Sequence, residues 1–101
     1  MILDYDDADF DENGMRTYRG EFYTGVIVER LEDGTVVTET SYKHGIQDGP
    51  TRAFYHSGTL HGEGSFRSGI PVGVHRTWNE DGSLQSELEY DDFGRVIRRS
   101  T

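Results

Sequence analysis

Tyr42-Lys43-His44-Gly45-Ile46-Gln47-Asp48-Gly49-Pro50-Thr51-Arg52-Ala53-Phe54-Tyr55-His56-Ser57-Gly58-Thr59-Leu60-His61-Gly62-Glu63-Gly64-Ser65 is one complete period of a pattern, because Phe66 then stands where Tyr42 stood. Outward from this stretch the step of 24 residues holds in five series at once: Tyr18, Tyr42, Phe66 and Tyr90; Gly25, Gly49 and Gly73; Gly34, Gly58 and Gly82; Val36, Leu60 and Leu84; Glu39, Glu63 and Glu87. Several series in phase are the mark of tandem units that stack to share a core.

Each unit reads as strand, tight turn, strand, second turn. Asp33-Gly34, Ser57-Gly58 and Asp81-Gly82 are residue pairs that supply the positive φ of a two-residue hairpin loop. The second connection runs from Gly45 to Gly49 or from Gly69 to Gly73, with Pro50 and Pro71 restricting the ladder. Gly94 begins that connection again before Arg95-Val96-Ile97-Arg98-Arg99, the expected outer strand, and Glu21 breaks the pattern where Gly45 and Gly69 stand later. A two-residue loop at Ser57-Gly58 sets His56 opposite Thr59, Tyr55 opposite Leu60, Phe54 opposite His61 and Arg52 opposite Glu63; the next unit repeats this with Arg76 opposite Glu87. Opposite charges across a ladder contribute about 0.2–1 kcal/mol. The face with Tyr55, Leu60, Gly62, Gly64 and Phe66 is the expected core, its glycines leaving room for neighbouring rings. The expected fold is all-β: tandem 24-residue hairpin repeats in a single elongated, twisted antiparallel meander sheet. Residues 1–17 form a lead-in and 18–101 the repeat domain, in units 18–41, 42–65, 66–89 and a partial 90–101.

Composition agrees with short strands joined by turns. The chain has 101 residues, 13 glycines, two prolines and 12% aromatics. A domain of this size buries only about 65% of the surface its unfolded chain exposes, so packing must be economical. With no cysteine there is neither a disulfide framework nor a thiolate metal site. No window approaches the roughly 18 apolar residues of a membrane span, and the opening residues lack a basic segment followed by an apolar one. A cytoplasmic location is expected.

Net charge is −9, and Asp4, Asp6, Asp7, Asp9, Asp11 and Glu12 carry six of those charges; the rest of the chain holds thirteen acids against ten bases. Such a field repels nucleic acid and anionic lipid and steers basic protein surfaces. It also serves plain solubility. Arg95, Arg98 and Arg99 read as protection of an exposed sheet edge, and a salt contact with the acidic terminus of a second copy is the rival reading. Self-association through edge strands follows from the latter.

Tyr42 to Pro50, then Phe54-Tyr55-His56-Ser57-Gly58-Thr59-Leu60 and Glu63, resemble the MORN-type repeat (membrane occupation and recognition nexus), and above all its bacterial variants, the YwqK-family antitoxins and related immunity proteins. The resemblance runs from about Tyr18 to Gly94. Where those relatives often carry a tryptophan two residues beyond the glycine, this chain has Ile27, Thr51 and His75, and its aromatic bulk stands at Phe54, Tyr55 and Trp78. The resemblance implies a MORN-like hairpin sheet and an immunity protein that blocks a cognate toxin stoichiometrically. In that reading Asp4, Asp6, Asp7, Asp9, Asp11 and Glu12 steer a basic toxin surface, while Tyr23, Phe54 and Trp78 are the desolvated anchors. The alternative is a MORN-repeat scaffold or membrane-associated adaptor, which the negative charge disfavours at an anionic surface. A fragment of a longer repeat protein is disfavoured by the starting Met and the incomplete last unit.

Catalytic and metal chemistry find little support. Asp9-Phe10-Asp11-Glu12-Asn13-Gly14 matches the start of a calcium loop, but Gly20 occupies the position of the required glutamate and no helices flank it. Glu12-Asn13-Gly14 reads instead as a hairpin turn. His44, His56, His61 and His75 lack ligand spacing, and Glu39, Glu63 and Glu87 have arginine partners, unlike a paired acid and base. No phosphate loop precedes a helix and no basic aromatic face suits nucleic acid. The expectation is a non-enzyme with no catalytic, cofactor-binding or metal residues and no cofactor.

Overall fold

The computed structural model describes residues 1–100. Its strands are β1 (Ile2–Asp4), β2 (Asp9–Phe10), β3 (Arg16–Tyr18), β4 (Glu21–Phe22), β5 (Gly25–Arg30), β6 (Val36–Lys43), β7 (Ile46–Phe54), β8 (Leu60–Arg67), β9 (Ile70–Trp78), β10 (Leu84–Tyr90) and β11 (Val96–Ser100), with one 3-10 turn at Tyr5–Asp7. Eight strands form a sheet in the order β1-β5-β6-β7-β8-β9-β10-β11, and β2-β3-β4 form a small second sheet. From β5 onward the sheet is the expected antiparallel meander in sequence order. It departs from a single antiparallel sheet at its start, where β1 pairs parallel with β5. Parallel neighbours need a crossover of a dozen residues or more, and the small sheet supplies it. The molecule measures 42 × 37 × 20 Å, a slab nearly as wide as it is long.

The turns exchange the roles expected of them. His44-Gly45 and Ser68-Gly69 are the two-residue connections, with φ of 52° and 83° in each pair, and Arg19-Gly20 repeats them at 54° and 81°. Positive φ at both central residues is the type I′ hairpin turn. Gly20 thus performs in the first unit the task of Gly45 and Gly69, displaced by one residue. The Ser57-Gly58 loop has three residues: Tyr55 N–H donates to Thr59 O at 2.9 Å and Gly58 N–H to Tyr55 O at 2.9 Å. The same pair of bonds closes the loops from Leu31 to Thr35, Asn79 to Ser83, Asp91 to Arg95 and Asp11 to Met15. Gly94 therefore ends a loop of this kind and does not begin the connection expected of it, while Glu12-Asn13-Gly14 forms the turn joining β2 and β3.

A three-residue loop sets Phe54 opposite Leu60, so Tyr55–Leu60 and Phe54–His61 do not pair. His61 is then extra, Ala53 meets Gly62, and Arg52 meets Glu63 after all. In the next hairpin Trp78 meets Leu84, Thr77 meets Ser86, and Arg76 again meets Glu87. One bulge cancels the added loop residue and restores the face of every side chain beyond it. The result is a row of alternating charge across the sheet: Glu39, Arg52, Glu63, Arg76 and Glu87 are successive cross-strand partners. Arg76 Nε lies 2.6 Å from Glu87 Oε2.

The core lies at the first edge of the sheet, not on the face of Tyr55, Leu60 and Phe66. Leu3, Tyr23, Ile27 and Val28 are the buried apolar residues among those described, and Ala8, Tyr18 and Tyr42 pack against the cluster of Leu3, Tyr23 and Ile27. The middle hairpins have thin, half-buried packing, because glycines and hydroxyl residues line them. Gly64 does make room for a neighbouring ring, since a Cβ there would overlap the His75 imidazole. That ring meets Phe66 and Tyr90 edge-on, with centroids 5.5 and 4.8 Å away.

Candidate interaction surface

Strand direction decides which charges meet. β1 runs parallel to β5, and β7 and β9 share that direction because each is separated from β5 by antiparallel neighbours. The C-terminal ends of these four strands, with loops 31–35, 55–59 and 79–83, therefore make up one end of the slab, and β11, which runs the same way, brings Arg98 and Arg99 to its far side. Asp4, Asp6 and Asp7 arrive there with Glu29 and Glu32, and the five carboxylates line a cavity of about 460 Å³ whose sole cationic side chain is Arg30. Arg30 Nε is 3.1 Å from Asp4 Oδ1. Asp33, Glu80 and Asp81 extend the acidic rim along the neighbouring loops.

The loops brace one another. His56 Nε2 lies 2.6 Å from Asp33 Oδ2, linking the first loop to the second, and the Tyr55 hydroxyl donates to Trp78 O at 2.7 Å, linking the second hairpin to the third. Thr35, and after it His56, hold the Asp33 carboxyl well below the usual carboxylate range, and Ser83 lowers that of Asp81. Both stay charged in neutral solution. Such short polar side chains that bond the backbone two residues on are what hairpin loops favour.

The expected partner-binding residues separate into four groups. Asp4, Asp6 and Asp7 line the cavity. Asp9, Asp11 and Glu12 go to the small sheet and its turn, where Asp11 Oδ1 accepts the amides of Asn13 and Met15, each at 2.9 Å. Phe54 and Trp78 are half-buried residues closing β7 and β9. They lie at the same acidic end, about 10 and 19 Å from β5 by strand spacing. Tyr23 is 2% exposed: its hydroxyl donates to Val26 O at 2.8 Å and lies 3.2 Å from Met1 O, and burial raises its pKa. An anchor must reach a partner, and Tyr23 is instead the centre of the core. Glu29 and Glu32 join the surface without having stood out in sequence, because they belong to the repeat and only the parallel pairing of β1 brings them to the lead-in.

Arg16 is 6% exposed, and its guanidinium sits over the rings of Phe10 at 3.7 Å, Tyr5 at 4.7 Å and Tyr42 at 5.9 Å. The aromatic faces offset part of the cost of burying a cation. This box holds the lead-in against β6, because Tyr5 and Phe10 come from the former and Tyr42 from the latter.

Residues 47–68 and 71–92 each match the MORN repeat variant family, one stretch following the other at the 24-residue step. Each match covers one hairpin, β7–β8 and then β9–β10. No curated protein and no solved structure matches the chain. No helix among the described residues is long and apolar enough to cross a membrane.

Proposed function

We propose that this chain is a non-catalytic interaction module that captures a basic surface of a partner protein on its acidic end, and that the partner is a bacterial toxin domain which it neutralises one to one. The observation that carries this reading is the cavity of five carboxylates and one arginine beside the hairpin ends bearing Phe54 and Trp78. MORN-type repeats serve generally as scaffolds and mediators of protein contact, which supports the coarser part. The likeness to bacterial immunity proteins in the sequence pattern supports the finer part. In this reading the carboxylates raise the association rate with a cationic surface, and the aromatics give up hydration in the complex. The chain acts in the cytoplasm of the cell that makes the toxin.

Co-expression with a toxin encoded in the adjacent gene is the test. Restored growth and a 1:1 complex are expected, with Asp6→Lys/Asp7→Lys slowing association at low salt by about tenfold or more. Absence of both rescue and complex sinks the reading. A scaffold or membrane adaptor is the second reading, and flotation with anionic liposomes that carries the protein upward would favour it.

A further inference from the structure

The two outer strands of the large sheet, β1 and β11, each pair on one side only among the described residues. An unpaired strand edge is a template for another chain. Both strands begin with exposed apolar residues: Ile2 is 70% and Ile97 59% exposed, and Met1 and Val96 are exposed beside them. Both then turn charged, with opposite sign. β1 runs into Asp4, Asp6 and Asp7, and β11 into Arg98 and Arg99.

Direction makes the match specific. Strands alternate from β5 to β11, so β11 runs the same way as β5, and β1 is parallel to β5. A second copy set beside the first in the same orientation brings its β1 alongside β11 in parallel. That alignment places Met1 and Ile2 near Val96 and Ile97, and the aspartates near the arginines, in one arrangement. A symmetric β11–β11 pair must run antiparallel and sets arginine against arginine, while a symmetric β1–β1 pair gathers aspartates; like charges across a ladder destabilise it. Arg98 is held by Glu89 and Arg95 by Asp91. Arg99, Asp6 and Asp7 have no ion-pair partner among the described residues.

We propose that β11 of one copy adds in parallel to β1 of the next, so that the protein associates head to tail with itself. The contact joins two different surfaces and does not close on itself, so it propagates as a row of copies. It needs no partner protein, and it stands or falls apart from toxin capture.

Sedimentation of the full chain over a range of concentrations tests it. The average mass rises with concentration without levelling at two copies, and falls when salt shortens the reach of exposed charges to about 8 Å. Arg99→Glu lowers the association constant by about tenfold or more, and Asp6→Lys/Asp7→Lys does the same. An equimolar mixture of the two variants restores association, since the acidic tail of one then meets the basic head of the other. Arg99→Gln gives an intermediate loss and serves if the reversal disturbs folding, which circular dichroism checks. A monomer at every concentration in low salt overturns the proposal, as does a mass that levels at two copies, an unchanged Arg99 variant, or a mixture that stays monomeric. Arg99→Glu keeps every carboxylate of the acidic cavity, so toxin capture by that variant, compared at a dilution where wild type is monomeric, remains unaltered.

Discussion

Tyr23 shows how much one side chain ties together: its ring packs with Leu3 and Ile27, and its hydroxyl satisfies the Val26 carbonyl. Tyr23→Phe is expected to cost about 1 kcal/mol for the lost hydrogen bond and Tyr23→Ala about 3–5 kcal/mol for the lost ring, measured by thermal or urea unfolding. A surface anchor would leave stability nearly unchanged and weaken only the complex. Loop carboxylates set the response to acid. Asp33, Asp81 and Asp91 are lowered chiefly by bonds to the Thr35 hydroxyl, the Ser83 hydroxyl and the Arg95 amide respectively. Their folded values lie below those of the unfolded chain, so the unfolded state takes up protons first. The stability they contribute is present above the ordinary carboxylate range and is lost as pH falls through that range toward the folded values. Melting temperature should therefore drop below about pH 4, the ordinary aspartate value, and Asp33→Asn should flatten part of that drop.

Among the elements, the pairs Arg52–Glu63 and Arg76–Glu87 were legible because each charge recurs at the repeat's own step and meets its opposite in a hairpin register, while the pairings Glu39–Arg52 and Glu63–Arg76 that join them into a row came from the structure. A double-mutant cycle on Arg76 and Glu87, whose side chains are in contact, should give a coupling of about 0.2–1 kcal/mol. It should shrink in salt, as half-exposed pairs do. Arg52 and Glu63 share the ladder without a side-chain ion pair, so their coupling should be smaller. Loop length was not legible in the same stretch. Ser57-Gly58 satisfies a two-residue and a three-residue loop equally well, since both need a residue of positive φ. The bulge at His61 makes the two alternatives agree again by Arg52, so the charge pattern could not tell them apart.

At the scale of the whole molecule, the lead-in is both a charged surface and, through Leu3 and Ala8, part of the core. Leu3→Ala is expected to cost about 2–5 kcal/mol, read from the unfolding midpoint; a segment that served only solubility would show almost no change. Periodicity in the sequence was enough for the hairpins, their order, the mainly antiparallel sheet and the cross-strand charges. Those features arise from local turns and from neighbours one hairpin apart, which the 24-residue spacing records directly. Tertiary structure alone decided that Ile2–Asp4 would lie parallel to β5, that Arg16 would enter a box of rings, and that Asp6 and Asp7 would face Glu29 and Glu32. The lead-in does not repeat, so no spacing predicts its partner. Its position follows from the burial of Leu3 against Tyr23 and Ile27.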